Sequence, residues 1–363
     1  MNQRILMEGY YGKANFGDDV LMLVTYQLLR HASPRAHISL IVGDAQRDYP
    51  RTMLNGIAIE KPNRHARYDV IVHGGGGVFF DFTRHGIVRR ILEISVQIIG
   101  LSTFVQFERV IRRLTGLHRI HAKRRIGLGI GVGTFTKGSP RMLRSAPILA
   151  ECDALWLRDH ESAANLKRFA PILRAELLHG SDLAFLTENW APPTREKSQS
   201  DKPKLGIALR DWNGMDYEKI KSELATLSHD YTLTGFIFDA HHDPKMRALL
   251  APYDTHIWNP EEMSIHAFAS QIAAQDGLIT SRAHGAICAA CMGVPSVILN
   301  IEPKMEQVHQ MLCNSTQLIE HHQPWQQAIV TMLAISKEQI AGDVALNRTA
   351  SQAAWSKIIR WLA

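Results

Sequence analysis

Short apolar runs alternating with helical stretches recur along this chain of 363 residues, and that rhythm limits the possible folds more than any other feature. Residues 5–8, 37–42, 70–73, 125–130 and 154–157 read as strands, with helices over 18–30, after Ser139 and from Glu161. The alternation restarts at 204–209, 231–238, 277–280 and 296–299, and the last stretch, 337–362, is amphipathic and helical. Strands separated by helices pair into parallel sheets covered on both faces. A chain of this length also exceeds the size at which one hydrophobic core usually stops growing. Between the two series, residues 189–203 are polar, proline-bearing and without periodicity, as a linker should be. The expected architecture is α/β, with two doubly wound Rossmann-like domains facing across a cleft. The expected boundaries are 1–188, a linker at 189–203, a second domain at 204–340 and a C-terminal helix at 341–363.

Charge is unevenly spread. The formal net charge is +6, yet residues 84–125 carry ten Lys or Arg against Glu93 and Glu108, an excess of eight, so the remainder is slightly acidic. Between the basic clusters, residues 94–107 are uncharged but too short for the ~20 residues of a spanning helix. Such a segment lies on an anionic membrane face or packs inside the protein with its charges solvated, and the sequence leaves both open. No zinc-finger, helix-turn-helix or RNA-binding signature accompanies the charge, which argues against nucleic acid. The N-terminus lacks a long apolar segment followed by a cleavage site, and four cysteines do not make a disulfide framework. A cytoplasmic protein is expected, peripheral at the inner membrane face if the basic segment binds lipid. Cys288 and Cys291 have C-x-x-C spacing without further ligands at metal spacing, so core packing is expected of both and no metal site.

Chemistry gathers where strands end. Ser281-Arg282-Ala283-His284-Gly285 follows an apolar strand and opens a helix of small residues, before Gly293-Val294-Pro295 leads to the next strand. Ligands of open α/β sheets bind at such carboxyl ends, where helix N-termini point free N–H groups at anions. Arginine adds a forked donor for carboxylate or phosphate, and histidine a group that moves protons near neutral pH. Arg158, in Leu157-Arg158-Asp159-His160-Glu161-Ser162, and Arg210, after Gly206, repeat the placement. His73-Gly74-Gly75-Gly76-Gly77 can form an anion-cradling nest, although glycine runs also make purely structural turns. The first strand runs into Gly9-Tyr10-Tyr11-Gly12-Lys13-Ala14-Asn15-Phe16-Gly17-Asp18-Asp19, which matches neither the dinucleotide fingerprint nor a P-loop. Its two carboxylates suit helix capping, or a general base aimed at a hydroxyl.

Taken together and in this order, the G-Y-Y-G-x-x-N-x-G-D-D stretch, the glycine run, Leu157-Arg158-Asp159-x-x-Ser162 and Ser281-Arg282-x-His284 with Gly293-x-Pro295 resemble the polysaccharide pyruvyl transferases. The match runs through nearly the whole chain. It departs at Asp19, where many members carry Glu, and in the basic insert at 84–125. The resemblance implies a GT-B-like fold like that of inverting glycosyltransferases, with phosphoenolpyruvate as donor and a pyruvyl ketal formed on a sugar diol. It also implies that Arg158, Arg282 and His284 lie at the donor site.

On that implication Arg158 and Arg282 clamp carboxylate and phosphate, with Arg210, Gly75 and Gly76 beside them. His284 is the expected general acid toward the methylene carbon, and Asp18 the expected base. Asn15, Asp18 and Asp19 are expected on the acceptor side, in the N-terminal domain, with the donor side in the C-terminal domain. The expected partners are phosphoenolpyruvate and a saccharide acceptor, lipid-linked or not. No cofactor is expected, and a homo-oligomer stays open. Two rivals remain: a GT-B glycosyltransferase using a nucleotide sugar, for which Glu302 is the tempting ribose-binding carboxylate, and a non-catalytic protein binding an anionic glycan or lipid head group.

Overall fold

The structure, a computed structural model, describes residues 3–42, 48–61, 63, 65–79, 120–133, 135, 140–169, 173–192 and 202–363. The chain divides into two compact units: Met1–Gly12, Thr25–Leu183 and Ala350–Ala363 form the first, Lys13–Val24 and Ala184–Thr349 the second.

The sheet of the first unit holds β1 (Arg4–Glu8), β2 (His37–Ile41), β3 (Ala58–Glu60), β4 (Arg67–His73), β5 (Gly76–Phe79), β6 (His121–Val132), β7 (Ala154–Leu157) and β8 (Glu176–His179). Every pairing is parallel, in the order β3-β2-β1-β4-β6-β7-β8, with β5 beside β6. The connecting helices are α1 (Phe16–Ala32), α2 (Tyr49–Met53), α3 (Pro140–Ala150) and α4 (His160–Phe169). The central strands are apolar and fully covered, Ile5, Leu6, Met7 and all of β7 having no exposed surface. That is the pattern of strands buried on both faces.

The second unit repeats the plan. Its strands are β9 (Lys204–Ala208), β10 (Thr232–Ile237), β11 (Asp254–Ile257), β12 (Gly277–Thr280), β13 (Ser296–Asn300) and β14 (Thr316–Glu320), parallel in the order β11-β10-β9-β12-β13-β14. Its helices are α5 (Tyr217–Leu227), α6 (Pro244–Leu250), α7 (Ile265–Ala273), α8 (Ala283–Cys291), α9 (Pro303–Met311) and α10 (Gln326–Leu333), followed by α11 (Lys337–Ile358). Side-chain caps start α5 and α7, where Asp216 and Ser264 accept from the N–H groups of Lys219 and Ala267. Both sheets reverse direction once, at β1/β4 and at β9/β12, and the crevice at such a switch point is where ligands of this fold class bind.

The strands absent from the sequence reading are β3, β5, β8, β11 and β14. Four of these are sheet edges whose residues are mostly half-exposed and mixed in polarity, so they do not read as continuous apolar runs.

The expected first domain, 1–188, loses residues 13–24 and 184–188 to the second unit, and an aromatic cluster explains the first of these. Phe16 lies 5.1 Å from Phe238, 5.2 Å from Trp258 and 4.7 Å from Phe268, centroid to centroid, and its N–H donates to the Phe238 carbonyl at 3.0 Å. Burying a phenylalanine contributes about 1.5–3 kcal/mol, so this contact ties the start of α1 to the second unit. The end of α11 goes the other way: Ser351 Oγ donates to the Asp182 carbonyl and Ala354 is buried in the first unit. The expected linker begins as ordered structure, since Trp190 is buried and its indole donates to the Ala184 carbonyl at 2.8 Å; residues 193–201 lie outside the described residues.

Most of the basic insert, with its apolar 94–107 stretch, also lies outside the described residues. Its described end belongs to β6, where Lys123 pairs with Asp69 at 2.7 Å, Arg125 with Glu151 at 3.7 Å, and Arg124 sits 5.3 Å from the Trp361 ring centre. Arg124 and Arg125, expected among membrane-facing charges, are thus engaged within the first unit. Among the described residues no helix is long and apolar enough to cross a membrane.

Candidate functional site

In the second unit, Arg210 and Arg282 each follow the strands that flank the switch point, β9 and β12, by two residues. Side-chain hydroxyls stitch those strand ends together. Ser281 Oγ accepts from the Arg210 N–H at 3.0 Å, while Thr280 Oγ1 accepts from the Arg282 N–H at 3.0 Å and donates to the Ala208 carbonyl at 2.8 Å. Arg282 is the N-cap residue of α8, extended at φ −116° and ψ 128°. Gly285 must be glycine for this turn to close, because a Cβ there would lie 2.2 Å from Thr280 Oγ1.

His284, in the first turn of α8, is buried against the start of α1. A Cβ on Gly17 would lie 2.3 Å from its Nδ1 and 2.6 Å from its Cβ, so the imidazole rests directly on the glycine backbone. Asp18 follows Gly17. Its surface is partly open, yet protein crowds the carboxyl, and that burial raises its pKa above the usual 3.8; His284, Lys304 and Arg282 oppose the shift and Asp239 adds to it. The structure therefore brings together Asp18, Arg282 and His284, and adds Lys304 and Asp239.

The arginines are only partly committed. Arg282 Nη2 donates to Asp243 Oδ2, its guanidinium carbon stands 5.9 Å from the Phe238 ring centre, and its buried Nε has no hydrogen-bond partner among the described residues. Burial raises the Asp243 pKa against the pull of Arg282. Arg210 pairs with Glu302 at 3.1 Å and lies 4.6 Å over Trp212; burial lowers its pKa, Glu302 opposing. Asp239 Oδ2 accepts from His242 Nδ1 at 2.8 Å and from Asn15 Nδ2 at 3.4 Å. Asn15 Oδ1 in turn accepts from the Gly17 N–H at 3.2 Å, capping α1.

Asp19 differs from its expected acceptor role. It has no exposed surface, and its Oδ2 accepts from the Trp258 indole at 2.8 Å, so it serves the packing of the second unit. The glycine run, in the first unit, has packing reasons of its own: a Cβ on Gly74 would strike the Tyr11 ring, one on Gly75 would meet Leu183 at 2.8 Å, and Gly76 has φ +112° at the start of β5.

Arg158 is also in the first unit and 6% exposed, with Nε 3.1 Å from Asp159 and Nη1 3.7 Å from Asp182. Its guanidinium lies on Gly131, where a Cβ would come within 2.6 Å. The rest of that motif is structural: Asp159 Oδ1 accepts from the Ser162 N–H at 2.6 Å, and Ser162 Oγ accepts from the Val132 N–H at 2.8 Å.

Sequence reasoning missed Asp239, His242, Asp243 and Lys304. A signal existed, since Asp239-Ala240-His241-His242-Asp243 is a polar run at the carboxyl end of the apolar strand β10.

A pH prediction follows from Asp18. With its folded pKa raised, the native state keeps a proton that the unfolded chain has lost, so stability falls as pH rises from the usual carboxylate range through the folded pKa. Asp18→Asn carries no such penalty. Its thermal midpoint should gain on the wild type as pH rises from about 4 toward neutrality. A wild type that instead gains on the variant over that range would contradict the buried-carboxyl account.

Comparison with known proteins agrees with the motif resemblance. A family model described as polysaccharide pyruvyl transferase matches residues 15–303. No curated protein matches the chain. Among solved structures, the UDP co-structure of MnaA from S. aureus is similar at TM-score 0.59 and 10% identity, covering 99% of this chain and 95% of that one. UDP-GlcNAc 2-epimerase from Neisseria meningitidis bound to UDP-GlcNAc is similar at TM-score 0.56 and 10% identity, over 99% of each chain. A glycosyltransferase from Rickettsia africae gives TM-score 0.56 and 10% identity over 99% and 98%. At these identities the likeness concerns the fold of two parallel-sheet α/β domains.

Proposed function

Because the chain belongs to the polysaccharide pyruvyl transferase family, we propose that it transfers a pyruvyl group from phosphoenolpyruvate to two hydroxyls of a cell-surface polysaccharide or its lipid-linked precursor, forming a ketal and releasing phosphate. The observation that carries this reading is the cluster at the β9/β12 switch point, where a half-buried arginine whose buried Nε has no hydrogen-bond partner among the described residues lies beside a histidine and a carboxyl of raised pKa. Arg282 Nε and the Lys304 ammonium suit the donor's carboxylate and phosphate. His284 delivers a proton to the methylene carbon, which makes the neighbouring carbon electrophilic. Asp18 takes the proton of an attacking hydroxyl. Arg158 is already paired with Asp159 and near Asp182, and the reading does not depend on it.

The nucleotide-sugar alternative finds less support, because Glu302, its candidate ribose partner, is engaged by Arg210. The test incubates the purified protein with phosphoenolpyruvate and a panel of nitrophenyl glycosides and lipid-linked sugars, following phosphate release and the new methyl resonance of a pyruvyl ketal. Parallel reactions receive UDP-GlcNAc. Sugar transfer from UDP-GlcNAc, with no phosphate released from phosphoenolpyruvate on any acceptor, would overturn the proposal.

A further inference from the structure

Forming a ketal takes two hydroxyls, and each must shed a proton. One proton ends on the new methyl group and the other on the departing phosphate. Two hydroxyls attack in turn, so each can hand its proton to an acceptor of its own, and the second unit holds a candidate beside Asp18 that no motif identified. We infer that His242, held by Asp239, accepts the proton of the second hydroxyl; the inference rests on the pyruvyl transfer proposed above.

The geometry is that of an oriented imidazole. Asp239 is 3% exposed, while the His242 side chain is 55% exposed. Closing this loop needs a single carboxylate oxygen, and Oδ1 does that by accepting from the His242 N–H at 3.0 Å. The second oxygen goes to the ring, 2.8 Å from Nδ1. When Nδ1 donates to Asp239, the ring's lone pair lies on Nε2, the far side from the carboxylate. Asp239 links this pair to the rest of the cluster: its Oδ2 accepts from Asn15 Nδ2, and its charge contributes to the raised pKa of Asp18.

The steps balance. His284 gives a proton to the methylene carbon, the first hydroxyl oxygen bonds to the adjacent carbon, and its proton passes to Asp18. The second hydroxyl oxygen then bonds to the same carbon as the bond to phosphate breaks. The electron pair leaves on the phosphate oxygen, and the second hydroxyl's proton goes to His242 Nε2. The proton on Asp18 leaves with phosphate and that on His242 returns to His284 through solvent, so one phosphate departs per ketal. Asp239 is a positioning residue and His242 the group that meets the hydroxyl.

The test measures two quantities on the full-length protein with phosphoenolpyruvate and the nitrophenyl glycoside panel in D₂O: phosphate release, and deuterium entering the methylene carbon of recovered phosphoenolpyruvate. His242→Ala should lose phosphate release by about 10²–10⁴ while still exchanging deuterium, because proton delivery and the first addition precede its step. Added imidazole should restore part of the release. His284→Gln should lose both signals. If His242→Ala releases phosphate within about threefold of the wild type, or loses exchange and release together, the inference fails while the family reading stands. If the wild type releases no phosphate on any acceptor, both fall.

Discussion

Replacing His284 with Gln is expected to lower turnover by about 10²–10⁴ while the protein folds normally and still binds phosphoenolpyruvate. The imidazole lies in the first turn of α8, 9% exposed, on the backbone of Gly17 and within electrostatic reach of Asp18. Glutamine keeps a polar side chain of similar reach but cannot deliver a proton. Gly17→Ala provides a second approach that leaves the histidine in place chemically. Its Cβ would overlap the imidazole, both at Nδ1 and near the base of the side chain, so His284 has to move. A displacement of about 1 Å can cost up to 10² in rate. Phosphate release and thermal midpoints measured on both variants separate the roles. Large losses in midpoint with turnover retained per folded molecule would make His284 a packing residue.

Arg282→Ala should lower turnover by on the order of 10² or more, about 2.7 kcal/mol of transition-state stabilisation. It should also destabilise the fold. The Arg282–Asp243 pair is nearly buried, with side chains 11% and 1% exposed, and removing one partner of such a pair costs about 3–5 kcal/mol. That cost shrinks to the extent that Asp243, whose pKa burial already raises, takes up a proton. The control is Asp243→Asn, which keeps an oxygen for the Asp211 N–H and leaves the guanidinium charged. It should lose stability but keep turnover within about tenfold. Arg282→Lys should rescue poorly, because an ammonium cannot reproduce the fork that holds Asp243 and a ligand together. Equal turnover losses in Arg282→Ala and Asp243→Asn would mean that the arginine matters only through its ion pair.

Both arginines at the β9/β12 switch point were legible because their signal is local: an apolar run, then Arg, then a small-residue helix or a loop. Asp239 and His242 stand at the end of β10 in the same manner, yet aspartate and histidine are common in turns, and only the 2.8 Å contact between them separates a dyad from a capped loop. Arg158 reads identically to Arg282 in sequence. The structure separates them, since Arg158 rests on Gly131 between Asp159 and Asp182, whereas Arg282 retains an uncommitted Nε.

The two parallel α/β sheets, and the clustering of anion-binding residue types at strand ends, were determined by the order of residues alone, because strand and helix periods and turn residues act over a few positions. Where residues 13–24 belong was decided only in three dimensions. Phe16 joins Phe238, Trp258 and Phe268, and Asp19 meets the Trp258 indole, partners more than 200 residues away along the chain. That long-range burial carries Gly17 to His284 and gives Asp18 its raised pKa, so a carboxylate read as part of the first domain lies in the second unit, beside His284 and Arg282.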